Sequence, residues 1–204
     1  AAFGLRLFGV VCLSLFTVNY IGRCFEARDI DYLLSRPIGR TSFVLVHGAA
    51  FSTLAILAAV ILGGAIGLLE WKHFNAGITL WWISLGAEFV IMANVAMFFA
   101  FVMKSQTACT MIVFAFYLLT RLIGDILGIL AEQTSGRGWI GTGMEKTMEF
   151  ISIFLPRLDL MGQSKWILYG VPSDVSVGFV MAQCFVFCAL VILATAVDMK
   201  RRQF

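Results

Sequence analysis

Five stretches of this 204-residue chain are long, apolar and almost uncharged: Phe3 to Gly22, Phe43 to Leu69, Ile78 to Met103, Thr107 to Ala131 and Val175 to Val197. Each is at least as long as the ~20 residues that a helix needs to cross the ~30 Å hydrocarbon core of a bilayer. In such runs every backbone polar group has to be satisfied within its own segment, which selects helices over open sheets. Composition agrees, with 60% hydrophobic and 13% charged residues and a mean hydropathy of +0.92. A water-soluble globular fold is excluded. The expected fold class is an all-α integral membrane protein, a single polytopic helical bundle with five spans. Two longer connections join them: residues 23–42, which contain a short amphipathic helix, and residues 132–174, read as an amphipathic segment outside the membrane.

The distribution of Lys and Arg orients the bundle, because basic residues in short loops favour the cytoplasmic side. Arg23, Arg28, Arg36 and Arg40 follow the first run, Lys104 joins the third to the fourth, and Lys200, Arg201 and Arg202 follow the fifth. Lys72, Arg137, Lys146, Arg157 and Lys165 are spread thinly over the opposite side. The C-terminus is therefore expected in the cytoplasm. Five spans would leave the N-terminus outside without a signal sequence, and the chain starts at Ala1, so one further upstream span and a six-span protein are expected. The net charge of +3 is accounted for by this orientation, and nucleic acid is not an expected partner.

Within the connection after the first run, Ile30, Leu33 and Leu34 recur at helical spacing among Glu26, Asp29 and Arg36, up to the break at Pro37; this reads as a short amphipathic cytoplasmic helix. In the outer connection, Met144, Met148, Ile151 and Leu155 share a helical face before Pro156, a segment expected to lie on or dip into the outer leaflet. Trp71, Trp81, Trp82, Trp139 and Trp166 fall near the inferred outer boundary, as an interfacial aromatic belt would.

Ionisable residues inside a bilayer are costly unless paired. Glu88 and Arg121 both fall roughly 15 Å below the outer ends of their spans and are expected to meet as an ion pair. Asp125, four residues after Arg121 on the same face, can share the guanidinium, and Gln183 stands at a similar level. This polar cluster either lines a substrate path or latches the helices together. Gly63–Gly67 and Gly124–Gly128 have the spacing that lets helices approach closely, expected here within one subunit.

Enzyme signatures are missing. Gly136, Gly138 and Gly141 satisfy GxGxxG without the preceding strand a dinucleotide site requires, and no GxxxxGK[ST] loop occurs. His47 and His73 stand apart, and Cys12, Cys24, Cys109, Cys184 and Cys188 show no CxxC spacing, so no catalytic or metal site is expected. The cysteines read as small buried hydrophobes.

The segment Glu26 to Gly48, EARDIDYLLSRPIGRTSFVLVHG, resembles the cytoplasmic region after the second span of type-2 permeases of ATP-binding-cassette (ABC) transporters. There an acidic residue opens a coupling helix, a Leu-Leu-Ser-x-Pro-x-x-Arg stretch follows, and a Gly-Lys pair or similar group begins the next span. Glu26, the stretch Leu33 to Arg40 with Pro37, and His47 with Gly48 stand at these positions, with His47 where Lys is usual. The tight inner turn at Lys104 to Gln106 and the Pro-x-x-Asp element at Pro156 to Asp159 fit the same layout. The resemblance implies an exporter permease of the bacterial cytoplasmic membrane. It would pair with a second permease subunit, identical or not, surrounded by membrane lipid. Its ATPase partner would hold ATP and Mg, with no cofactor in this chain, and would be contacted through Glu26, Arg28, Asp29, Arg36, Pro37 and Arg40. A membrane scaffold or assembly subunit with a permease-like fold is the alternative, and a lipid-modifying enzyme is disfavoured by the lack of a catalytic constellation.

Overall fold

The computed structural model describes residues 2–27, 39–69, 76–103 and 105–134, then Pro156, Leu158 and Met161, and finally residues 177–201. Five helices occupy the five apolar runs: α1 (Ala2–Glu26), α2 (Arg40–Leu69), α3 (Ala76–Val102), α4 (Gln106–Thr134) and α5 (Val177–Arg201). Among the described residues there is no strand. Among the described residues four helical stretches are long and apolar enough to cross a membrane: Phe3–Glu26, Thr41–Leu69, Ala76–Val102 and Met181–Arg201. Helix α4 has 29 residues, and its described apolar part is Gln106–Leu122. At ~1.5 Å per residue, α4 exceeds the thickness of a bilayer core. The chain has the fold of a helical membrane protein.

Helix α3 is the axis of the bundle, and each of the other four packs against it. Of its most apolar window 72% is buried, against 39%, 28% and 22% for the windows of α1, α2 and α5. The sequence explains why. Helix α3 is apolar on all sides, so no face has to be turned to water, and Gly77, Gly86, Ala87, Ala93, Ala96 and Ala100 allow neighbours to come close. Two of its polar side chains bond within the bundle. Ser84 donates to the Trp81 carbonyl at 2.8 Å, and Asn94 donates to the Val90 carbonyl at 2.8 Å and across to Ser52 Oγ on α2 at 2.9 Å. In the outer helices the apolar residues instead face outward: Ile56, Leu57, Val60 and Ile61 on α2 and Phe185, Val186 and Leu193 on α5 are exposed. Such a continuous apolar surface is stable against lipid and not against water.

Two close contacts fix the helix crossings. A Cβ on Gly63 would stand 2.2 Å from the Trp82 indole, so the missing side chain is the notch that receives the ring. The Trp82 indole N–H then donates to the Ala59 carbonyl at 2.9 Å. Gly63 of the first small-residue pair therefore packs within the chain, as expected; the surroundings of Gly124 and Gly128 lie outside the described residues. Nearer the other end of α2, a Cβ on Gly48 would stand 3.4 Å from both Asn94 of α3 and Ile192 of α5. Three helices thus meet at one glycine.

The tryptophan pair corrects the expected aromatic belt. Trp81 is buried at 1% exposure and Trp82 is half-buried against α2, so these two are core residues and not interfacial anchors; Trp71, Trp139 and Trp166 lie outside the described residues. Residues 103–105 separate α3 from α4. Ser105 caps α4, its hydroxyl accepting from the Ala108 N–H at 3.4 Å, an N-cap that satisfies one of the amides a helix start leaves unpaired. All five cysteines are free; Cys109 and Cys184 are buried, Cys24 and Cys188 half-buried, and Cys12 is exposed on α1, which departs from the buried placement expected for it.

Candidate functional site

The interior of a lipid-embedded bundle tolerates charge only where an opposite charge or a dipole meets it. Glu88, in the middle of α3, is fully buried, and its ion-pair partner is Arg6 of α1, itself 2% exposed. The Arg6 Nε also donates to the same carboxylate oxygen, Oε2. This corrects the expected pairing of Glu88 with Arg121. Arg6 sits close to the end of an apolar run, where snorkelling to the interface is the ordinary outcome; its signal in the sequence is one cation within the first turns of α1.

Arg121 of α4 has a different role. Its Nη1 donates to the Leu158 carbonyl and, at 3.0 Å, to the Met161 carbonyl. The Met161 carbonyl also receives Arg6 Nη2 at 2.8 Å. One backbone oxygen from the connection between α4 and α5 therefore bridges two guanidinium groups from two helices. Leu158 and Met161 are both at 0% exposure, and the Met161 N–H closes a turn onto the Leu158 carbonyl at 3.1 Å. The connection after Pro156 thus reaches the bundle interior. Backbone outside the five long helices is stable at that place because arginines occupy its carbonyls. Tyr117, one turn before Arg121 on α4, is buried within electrostatic reach of Glu88, Arg6 and Arg121. Glu88 Oε1 has no hydrogen-bond partner among the described residues.

The other expected members of the cluster stand apart from this description. Asp125 lies on α4, with its side chain outside the described residues. Gln183 is half-buried on α5; its Oε1 is without a partner among the described residues, and no described hydrogen bond joins it to Arg6, Glu88 or Arg121. Glu88 and Arg121 are thus brought to the same buried centre through Arg6 and Met161.

The second candidate site is the connection between α1 and α2. Arg28, Asp29, Arg36 and Pro37 lie outside the described residues, and Arg40 is the first residue of α2. Glu26 is exposed at the end of α1 and accepts from Gln106 Nε2 at 3.3 Å, across to the start of α4. Gly22 permits this approach, since a Cβ there would stand 2.0 Å from the Gln106 side chain. Glu26, Gln106, Gly22, Phe25 and Met103 line part of a cavity of about 260 Å³ at this end of the bundle. His47 is half-buried on α2, its Nδ1 on the Phe43 carbonyl at 3.0 Å. Among the described residues no group of three His, Cys, Asp or Glu side chains is placed to hold a metal ion. Compared with family models, with curated proteins and with solved structures, the chain matches none.

Proposed function

We propose that the chain is the transmembrane subunit of an ATP-driven exporter of the type-2 ABC permease kind, seated in the bacterial cytoplasmic membrane with its C-terminus in the cytoplasm. It pairs with a second permease subunit, and a separate ATPase supplies ATP, Mg and hydrolysis. The reading rests on the Glu26 to Gly48 segment, and the joint at Gly48 gives that segment a mechanical meaning. The residues that follow the connection pack at once against the central helix through Gly48 and the Ser52–Asn94 hydrogen bond. A push on the connection is therefore delivered to α3 and α5 and is not absorbed at the surface of the bundle. Glu26, Arg28, Asp29, Arg36, Pro37 and Arg40 make the ATPase contact. The Arg6–Glu88–Arg121 centre acts as a latch, since the hydrogen bonds described for its two arginines run to the chain's own carboxylate and carbonyls.

Purification of the tagged chain in mild detergent, with identification of what accompanies it, tests the proposal. A co-purifying ATPase whose turnover changes on Glu26→Lys or Arg40→Glu is the expected result. An ATPase indifferent to both reversals, or none at all, favours the scaffold reading.

A further inference from the structure

A groove of about 390 Å³ opens between α1 and α2, lined by Phe16, Tyr20, Val46, His47, Ala50, Phe51 and Leu54. Its volume lies within the ~300–1,000 Å³ range of small-molecule sites. Its walls are aromatic and mutually braced. Tyr20 packs edge-on against Phe51 with centroids 5.8 Å apart, Phe16 stacks on Tyr20 at 6.1 Å, and His47 lies 4.1 Å from Phe43 and 6.4 Å from Phe51. Phe16, Tyr20, Val46 and Leu54 are nevertheless exposed at 48%, 45%, 62% and 39%, so the groove opens to the surroundings of the bundle.

Its position and polarity select an occupant. From Val46 to Leu54 the groove runs about 12 Å along α2, close to the ~15 Å depth of a single leaflet. One end is apolar, at Leu54. The other end lies toward the last turn of α1, where Arg23 is exposed beyond the groove's own lining. Arg23 is in register with Phe16 and Tyr20, seven and three residues on, and so stands on the same face of α1. His47 sits between the two ends. Because a carbonyl only accepts, the bond to Phe43 requires the proton on Nδ1, which leaves Nε2 on the outer edge of the ring as an acceptor, or as a donor once the ring is charged. An apolar slot one leaflet deep, with an imidazole part-way and a guanidinium at its interfacial end, complements an acyl chain that carries an anionic phosphate.

We propose that the α1–α2 groove binds an anionic phospholipid, with an acyl chain along Phe16, Ala50 and Leu54, His47 beside the glycerol region and Arg23 on the phosphate. The site requires only that the chain is in a membrane and stands whether or not an ATPase partners it.

The test is native mass spectrometry of the full chain in mild detergent, loaded with equal amounts of phosphatidylglycerol and phosphatidylcholine of identical acyl chains. Retention is expected to favour phosphatidylglycerol about five-fold, the factor that one basic side chain beside an anionic headgroup contributes. Arg23→Gln with His47→Gln should bring the ratio close to one, and Ala50→Phe should reduce retention of both lipids. Arg201→Gln, which removes an exposed arginine at the end of α5, should leave the ratio unchanged. Thermal unfolding of each variant identifies any that has lost its fold. Equal retention by the native chain, an unchanged ratio in the double variant, or an effect of Arg201→Gln as large as that of Arg23→Gln overturns the proposal. So does efficient disulfide cross-linking of Ala50→Cys between two copies without retained lipid, which would make the groove an interface between subunits.

Discussion

Arg6 and Glu88, 82 positions apart in the chain, form a buried ion pair that joins the outermost turns of α1 to the middle of α3. Its energetics are asymmetric. Removing one member strands a charge in a region of low polarity, at a cost of about 3–5 kcal/mol, whereas replacing both by apolar residues of similar size is close to neutral. Arg6→Met and Glu88→Leu should each lower the unfolding midpoint in detergent strongly, and the double variant should recover most of the loss. If Glu88→Gln instead leaves stability intact and abolishes export, the centre lines a path and the latch assignment is wrong.

Arg121 ties down the outer connection separately. Its two bonds to the carbonyls of Leu158 and Met161 are charge-assisted, each of a kind that contributes about 1.5–3 kcal/mol. Arg121→Leu should raise amide hydrogen exchange around 156–161 by roughly ten- to hundred-fold. Amides in the middle of α3 should be unaffected, since their protection comes from the helix packing. Equal loosening of both regions would mean that Arg121 supports the whole bundle.

The notch at Gly63 makes a steric prediction. Gly63→Ala places a methyl group 2.2 Å from the Trp82 indole, an overpacking expected to cost about 1–3 kcal/mol despite alanine's better helix propensity. Combination with Trp82→Leu should restore stability relative to Gly63→Ala alone. A thermal midpoint for Gly63→Ala equal to that of the native chain would place Trp82 elsewhere.

At the Gly48 joint, Asn94→Leu removes the interhelical bond to Ser52. Such bonds within membrane bundles contribute about 0.6 kcal/mol on average, so the expected change in unfolding midpoint is small. Gly48→Leu, which has to displace Asn94 and Ile192, should be the more damaging of the two. Comparing the two variants by thermal unfolding separates crossing distance from hydrogen bonding.

The helices were legible because length and hydropathy are properties of a single segment: the described helix ends lie within about four residues of the apolar runs. The partners were less so, because they depend on which helices touch. Depth alone made Arg121 an equally good match for Glu88, and only the packing of α1 on α3 brings Arg6 to it. Trp81 and Trp82 were misplaced for a related reason. A tryptophan near a boundary anchors in the interface when its helix is peripheral, but α3 is central and turns both rings inward. The carbonyls of Leu158 and Met161 were beyond any reading by residue type, since every residue carries the same acceptor. The glycine spacing at Gly63 was correct, though nothing local indicated that Trp82 fills it.

The central place of α3 also bears on how the protein is made. Chains enter the bilayer from the N-terminus, and α3 follows α1 and α2 while preceding α4 and α5. When its carboxylate arrives, the neutralising guanidinium is already in the membrane on an earlier helix, so Glu88 need not wait uncompensated for later spans. The backbone oxygen of Met161 arrives only after α1 to α4 have been synthesised. Biogenesis thus has an internal order: the electrostatic hazard is cancelled first, and the outer connection is fastened to the resulting cation as a closing step.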